Sequence, residues 1–253
     1  MRINFIASML LVVIITGVEA AEPPATADGS PATKSTDDTN PVKRSAKPRR
    51  RQTPPQVLDP DGFAKLQTKS IFSGPQPNEK VPEFTATTMG ADGNETELSP
   101  LAKSAGKPLI LIFQDETGVG LRGLLGLSRT LKLIGEKTDA SPRCVVVFLG
   151  DDPISLGKTA AKIRKFTDDD FLLTLSNDGR DGPGALGLNR NVAQTILLIN
   201  DGVVKRNFAM TQAMLRPDPY VLGGIAELFD IDRKTMSDWL SAGGEKMRMR
   251  RKR

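Results

Sequence analysis

Few residues in this chain could do chemistry. A single thiol, Cys144, opens the apolar run Cys144-Val-Val-Val-Phe-Leu149. Gly118, Gly120 and Gly123 form a GxGxxG preceded by Thr117, and carboxylates gather at Asp151-Asp152 and Asp168-Asp-Asp170. There is no histidine among the 253 residues. That excludes Ser-His-Asp and Cys-His catalysis, a histidine proton shuttle and a His-ligated metal. With one cysteine there is no CxxC pair, no intrachain disulfide and no cysteine zinc cage.

Each remaining candidate has a plainer reading beside the chemical one. A redox-active cysteine needs thiolate character and access, whereas an apolar run predicts burial that raises the thiol pKa and shields it. Cys144 therefore reads as core, with a reactive thiol as the alternative. The GxGxxG lies between a strand and a helix, as a dinucleotide fingerprint requires. Its context does not follow that pattern: four residues separate Phe113 from Gly118, Asp115 and Glu116 would repel a pyrophosphate, and the strand-end acid Asp151 stands 33 residues on. The glycines read instead as a tight turn into the helix, with Thr117 as its N-cap. The acids read as helix caps and solvated element ends, and the triple Asp lacks the alternating loop of a calcium site. Asn177 to Gly184 is a turn-rich loop without the Lys-Ser/Thr of a phosphate loop. No cofactor and no metal are expected.

The elements that must position these residues alternate in type. Pro108 to Phe113 and Cys144 to Leu149 are unbroken apolar runs, as in strands covered on both faces. Between them Leu124, Leu127, Leu131 and Ile134 fall on one stripe of a helix from about Gly118 to Glu136. Asp152-Pro153 starts the next helix, with Leu156, Ala160, Ile163 and Phe166 as its apolar stripe. Phe171 to Leu175 is a short strand. Thr195 to Ile199, a turn at Asn200-Asp201-Gly202, and Val203-Val204 make a hairpin. Val221, Leu222, Ile225 and Leu228 place a packing helix, followed by a helical extension around Met236 to Leu240. This order is that of an α/β sandwich.

Several blocks together resemble a known family. Pro82-Glu-Phe-Thr85, Asp92-Gly93, Glu97-Leu-Ser99 and Gly106 to Phe113 are followed by Val145 to Asp151, Ser176-Asn-Asp178 with Gly184 to Leu188, and Thr195 to Gly202. In that order they resemble the redoxin branch of the thioredoxin-like superfamily, the branch of alkyl hydroperoxide reductase and thiol-specific antioxidant proteins, over about residues 75–228. The resemblance implies a thioredoxin-like three-layer α/β/α sandwich with a mixed central sheet. It also implies a cysteine pair at the head of the first long helix, where the dipole lowers a thiol pKa, and a cis-proline facing it before the hairpin. The pair would fall on Gly118 and Leu121, and the proline near Ala193-Gln194, so this chain lacks both. An ordinary trans peptide is expected there.

The ends of the chain differ from its middle. Arg2, an apolar run from Phe5 to Gly17 and Val18-Glu19-Ala20 read as a cleaved signal peptide over residues 1–20, which implies export to a periplasm or the exterior. No later segment reads as a transmembrane span. Residues 21–56 are a Pro/Ser/Thr/Lys-rich linker without apolar periodicity, residues 57–244 the thioredoxin-like domain with its helical extension, and residues 245–253 a basic tail. Residues 21–56 carry seven bases against four acids, residues 245–253 six against one, and residues 57–244 carry 21 against 24. Positive charge thus belongs to the ends. The tails could make weak contacts with a polyanion, and no specific nucleic-acid groove is expected on the domain.

The combined expectation is an exported, redox-inactive module that binds an unknown protein or peptide, or serves as a structural envelope component. Its candidate surface is Thr117, Gly118, Leu121, Arg122, Ala193 and Gln194, where thioredoxin-like relatives grip extended backbone. The alternative is a thiol-dependent oxidoreductase or peroxidase working through Cys144.

Overall fold

A computed structural model describes residues 55–67, 69–89, 95–104, 107–116 and 120–250. The expected signal peptide, and the linker apart from Pro55 and Gln56, lie outside them. Seven strands form one sheet: β1 (Ala86–Met89), β2 (Glu95–Leu98), β3 (Leu109–Asp115), β4 (Arg143–Leu149), β5 (Phe171–Ser176), β6 (Gln194–Asn200) and β7 (Val203–Met210), in the order β2-β1-β5-β4-β3-β6-β7. β3 pairs parallel with β4, and β4 with β5, while β6 runs antiparallel to β3 and β7 antiparallel to β6. A parallel crossover unit joined to an antiparallel hairpin gives a mixed sheet, the arrangement that the resemblance implies.

The helices are α1 (Pro100–Ser104), α2 (Leu121–Lys137), α3 (Pro153–Arg164), α4 (Pro219–Leu228) and α5 (Arg233–Arg250). Crossovers β3-α2-β4 and β4-α3-β5 step in the same direction across the sheet, and right-handedness then puts both helices on one face. Ile110, Ile112, Val146, Phe148, Ile196 and Leu198 form that face, packed with Leu124, Leu127 and Leu131 of α2, Ile163 of α3 and Ile225 of α4. Leu111, Phe113, Val145, Val147 and Leu197 point the other way, as a period of two requires. Their cover is thinner: Val81 and Phe84 ahead of β1, Leu101 of α1, and Leu186 and Leu188 in the connection from β5 to β6. The second outer layer is thus short helix and loop.

Local chemistry sets the boundaries. Asp152 caps α3 by accepting from the Ile154 and Ser155 N–H groups, with Pro153 in the first turn, and Asp218-Pro219 repeats the device at α4. Asp201 and Gly202 both have positive φ, at 53° and 72°. That is the two-residue turn whose twist matches a hairpin. The stripe expected for α3 is buried at Leu156, Ala160 and Ile163, but α3 ends at Arg164 and leaves Phe166 exposed. The C-terminal helical extension is longer than its sequence pattern, running through the basic segment to Arg250. Among the described residues no helix is long and apolar enough to cross a membrane.

The chain ahead of β1 is a strap on the free side of β7. Asn78 N–H donates to Val204 O at 2.8 Å, and Val204 N–H to Glu79 O at 2.9 Å. Asn207 donates from its side chain to Ser73 O and Pro75 O. These bonds occupy backbone that would otherwise be an open sheet edge.

Candidate functional site

β3 ends on Gln114 and Asp115, and α2 begins at Leu121. In the resembled family the thiol chemistry sits at this junction. Here Gln114 and Gln194 are both fully buried, paired across β3 and β6. Gln194 Nε2 donates to Gln114 Oε1 at 2.8 Å, and Gln194 Oε1 accepts from the Met214 N–H at 3.1 Å. Gln114 Nε2 lies 3.3 Å from Asp115 O, 3.3 Å from Asp115 Oδ1 and 3.4 Å from Ala193 O. A buried amide without partners is costly, so this pair stays in place only because strand ends and loop close around it.

The loop that closes it runs between β7 and α4, and glycines in α2 admit it. A Cβ on Gly120 would stand 2.6 Å from Gln114 Oε1 and 2.8 Å from Ala213 Cβ. On Gly123 it would overlap the Met214 carbonyl oxygen and stand 2.7 Å from Met214 Cγ; on Gly126 it would stand 2.6 Å from Pro217 Cδ. Spacings of three residues put Gly120, Gly123 and Gly126 along one side of the helix, and the segment from Ala213 to Pro217 lies in the groove they leave.

The expectation for these glycines therefore needs correction. Gly120 has φ −76° and ψ −5°, values open to any residue. Close approach, not a special turn, is what requires glycine at Gly120 and Gly123. Gly120 is also the N-cap and has no side-chain cap bond, so Thr117, three residues earlier, does not hold that position. Thr117 and Gly118 themselves lie outside the described residues.

The other expected surface residues divide. Arg122 is exposed, and Leu121 and Ala193 are half-buried. Gln194 is not a surface residue: both ends of its amide are spent inside, on Gln114 and Met214. Leu215 and Arg216, which the sequence pattern did not single out, are exposed directly after Met214. A glutamine closing a wholly apolar strand and another opening the hairpin were the available hint of the amide pair. The peptide bonds at Ala193 and Gln194 are trans.

Cys144 stands at the other pole of the sheet. It pairs with Ile110 and Phe171, four residues along the strand register from Gln114, which is about 13 Å. Its side chain is fully buried, and desolvation pushes the thiol well above its ordinary 9.0. Both the location and the shift oppose thiolate chemistry.

The carboxylates near the strand ends have structural partners. Asp151 Oδ1 accepts from Arg180 N–H at 3.1 Å, and Arg180 Nη1 lies 3.9 Å from Glu116 Oε1. Arg190 forms a two-pronged pair with Asp181, and that hydrogen bond holds the Asp181 carboxyl below its ordinary value. Asp168 meets Lys132 at 3.1 Å. The Asn177 side chain ties β5 to the β1-β2 hairpin, accepting from Thr87 Oγ1 at 2.6 Å and donating to Glu97 Oε1 at 3.0 Å. The loop it opens is thus held as structure.

No family model matches the chain, and no curated protein matches it. Among solved structures it is similar to reduced Prx3 from Vibrio vulnificus in complex with hydrogen peroxide, at 16% identity and TM-score 0.46, covering 60% of this chain and 99% of that one. It is similar to the peroxidoxin BcpB from Mycobacterium tuberculosis at 17% identity and TM-score 0.45, covering 62% and 98%. A thioredoxin domain of a thiol-disulfide oxidoreductase from Bacteroides vulgatus gives 17% identity and TM-score 0.40, covering 63% and 99%.

Proposed function

We propose that this chain is an exported, redox-inactive thioredoxin-like module that binds a protein or an extended peptide at the head of α2. The observation that carries the reading is the filling of that junction. A buried amide pair and a packed loop stand there, while the one thiol is buried at the opposite pole of the sheet. Such a site offers no group to accept electrons. What it leaves at the surface suits binding: Leu215 is 58% exposed, next to Met214, which packs on Gly123 two residues beyond Leu121. Arg122 and Arg216 add positive charge, which favours a partner with apolar side chains flanked by acids. Export rests on the pattern of residues 1–20.

Two assays test this. In disulfide-reduction and peroxide-reduction assays supplied with an external thiol, wild type and Cys144→Ser are both expected at background. Turnover that Cys144→Ser abolishes would defeat the proposal. A photo-crosslinker at position 122 is expected to capture a partner that one at position 154, on α3, does not. Leu215→Asp is expected to abolish the adduct, and an adduct indifferent to it would put the binding face elsewhere.

A further inference from the structure

The C-terminal half of α2 and the turn from α3 into β5 border a cleft of about 350 Å³, away from the α2 head. Its size is within the range of small-molecule sites. Ser128, Leu131, Lys132, Gly135 and Glu136 form one wall, a spacing that puts them on one face of the helix. Phe171 and the carboxylates of Asp168 and Asp170 stand opposite, with the Asp170 backbone fixed by the Cys144 N–H at 3.0 Å. Gly135 keeps the cleft open. A Cβ there would come no nearer than 3.6 Å to Ala140 O and Pro142 Cδ, so a side chain could enter without a clash and fill the space.

Two observations on these walls point to a ligand. Ser128 is 4% exposed, and its hydroxyl has no hydrogen-bond partner among the described residues, whereas neighbouring Thr130 donates to Gly126 O at 3.1 Å. A buried hydroxyl left alone is costly. The lining also carries three carboxylates against one ammonium. Lys132 Nζ stands 3.1 Å from Asp168 Oδ1, which leaves Glu136 and Asp170 without an ion pair among the described residues. Arg143, beside Asp170, points to the other face of the sheet and donates to Lys103 O.

We propose that this cleft binds a small, elongated organic amine that carries a hydroxyl at its far end. The ammonium lies between Glu136 and Asp170, the apolar body against Leu131 and Phe171, and the hydroxyl at Ser128. Eight residues of helix separate Ser128 from Glu136, about 12 Å along the axis. A lysine side chain from a protein partner is too short to bridge that span, and an organic anion would be repelled by the surplus carboxylates.

The test is an amide NMR titration of the full chain at neutral pH with tyramine, whose ammonium and phenol stand at opposite ends of an apolar ring. Saturable shifts are expected at Ser128, Gly135 and Phe171, with a dissociation constant on the order of 1 mM. Phenethylamine, which lacks the phenol, is expected to bind about threefold more weakly. Ser128→Ala should remove that difference by weakening tyramine alone. Glu136→Gln with Asp170→Asn should weaken both amines about tenfold, while Asp169→Asn, outside the cleft, should leave them unchanged. Gly135→Leu favours the helix and fills the space, and is expected to abolish the shifts in a protein whose other resonances stay in place. Absence of saturable shifts, equal binding of hydroxyphenylpropionate or of a capped lysine, or unchanged affinity in Gly135→Leu would each overturn the proposal.

Discussion

The heads of α2 and α4 lie on either side of the same loop, yet they are built in opposite ways. At α4 an aspartate does the usual work, with Asp218 accepting from the Tyr220 and Val221 N–H groups ahead of a proline-started helix. At α2 the cap is a bare glycine, and the space a side chain would use is filled from outside by Ala213, Met214 and the Gln114 amide. An aspartate cap stabilises its own helix by local hydrogen bonds. The glycine head contributes nothing locally and depends on tertiary packing. The helix head beside which the resemblance puts a thiol is therefore a packing joint at Gly120 and Gly123, and the two heads should respond differently to substitution.

The largest effect is expected at the joint. Gly123→Val would drive a side chain into the Met214 carbonyl and cost about 3 kcal/mol, read as a lowered urea midpoint, while the same change at exposed Gly184, where a Cβ meets nothing within 4 Å, costs far less. Gln194→Leu removes the bonds that Gln194 makes to Gln114 Oε1 and to the Met214 N–H and should cost about 2 kcal/mol. Amide exchange at Met214 should rise with it, and unchanged exchange would show that the loop is held without the amide pair. Removing the ordinary cap, Asp218→Ala, should cost about 1 kcal/mol. The most discriminating change is Gly120→Asp. At a free helix head an aspartate is as good as glycine or better, but here its Cβ meets Gln114 Oε1 and Ala213, so a loss of about 1 kcal/mol is expected. A gain in stability would mean that the joint is loose.

The smallest effect concerns acid. Asp232 sits at the start of α5 and accepts from the Thr235 N–H at 2.9 Å, which holds its carboxyl below the ordinary 3.8 against an opposing desolvation. A folded value below the unfolded one means that the stabilisation is complete above the unfolded value and is lost as pH falls through the folded one. Far-ultraviolet helicity should therefore fall as pH drops below 3.8. Asp232→Asn should flatten that part of the profile, and an unchanged acid limb would contradict the assignment.

Much of the fold was legible because it follows from local pattern. The apolar runs of β3 and β4, the 3-4-3 leucine stripe of α2, Asp152-Pro153 and the Asp201-Gly202 turn each carry their own reason, and each formed where expected. The site was legible mainly in what it lacks. Its positive construction was not, because Gln114 and Gln194 are 80 residues apart and satisfy each other, and a lone glutamine in sequence looks like a surface residue. Gly120 and Gly123 looked like turn formers because nothing local reveals that a segment 90 residues later will lie against them. Phe166 was placed in a stripe that the chain leaves two residues earlier. The full length of α5 was hidden by its basic end, where no apolar periodicity marks a helix.

The most direct measurement is the rate at which a small disulfide reagent labels Cys144 in the native protein and in denaturant. With the thiol buried in the sheet and its ionisation suppressed, native labelling should be slower by at least about a hundredfold and should accelerate only with unfolding. Equal rates in the two conditions, or sulfenic acid formation on the native protein within seconds of adding peroxide, would contradict the claim that this scaffold has no working thiol.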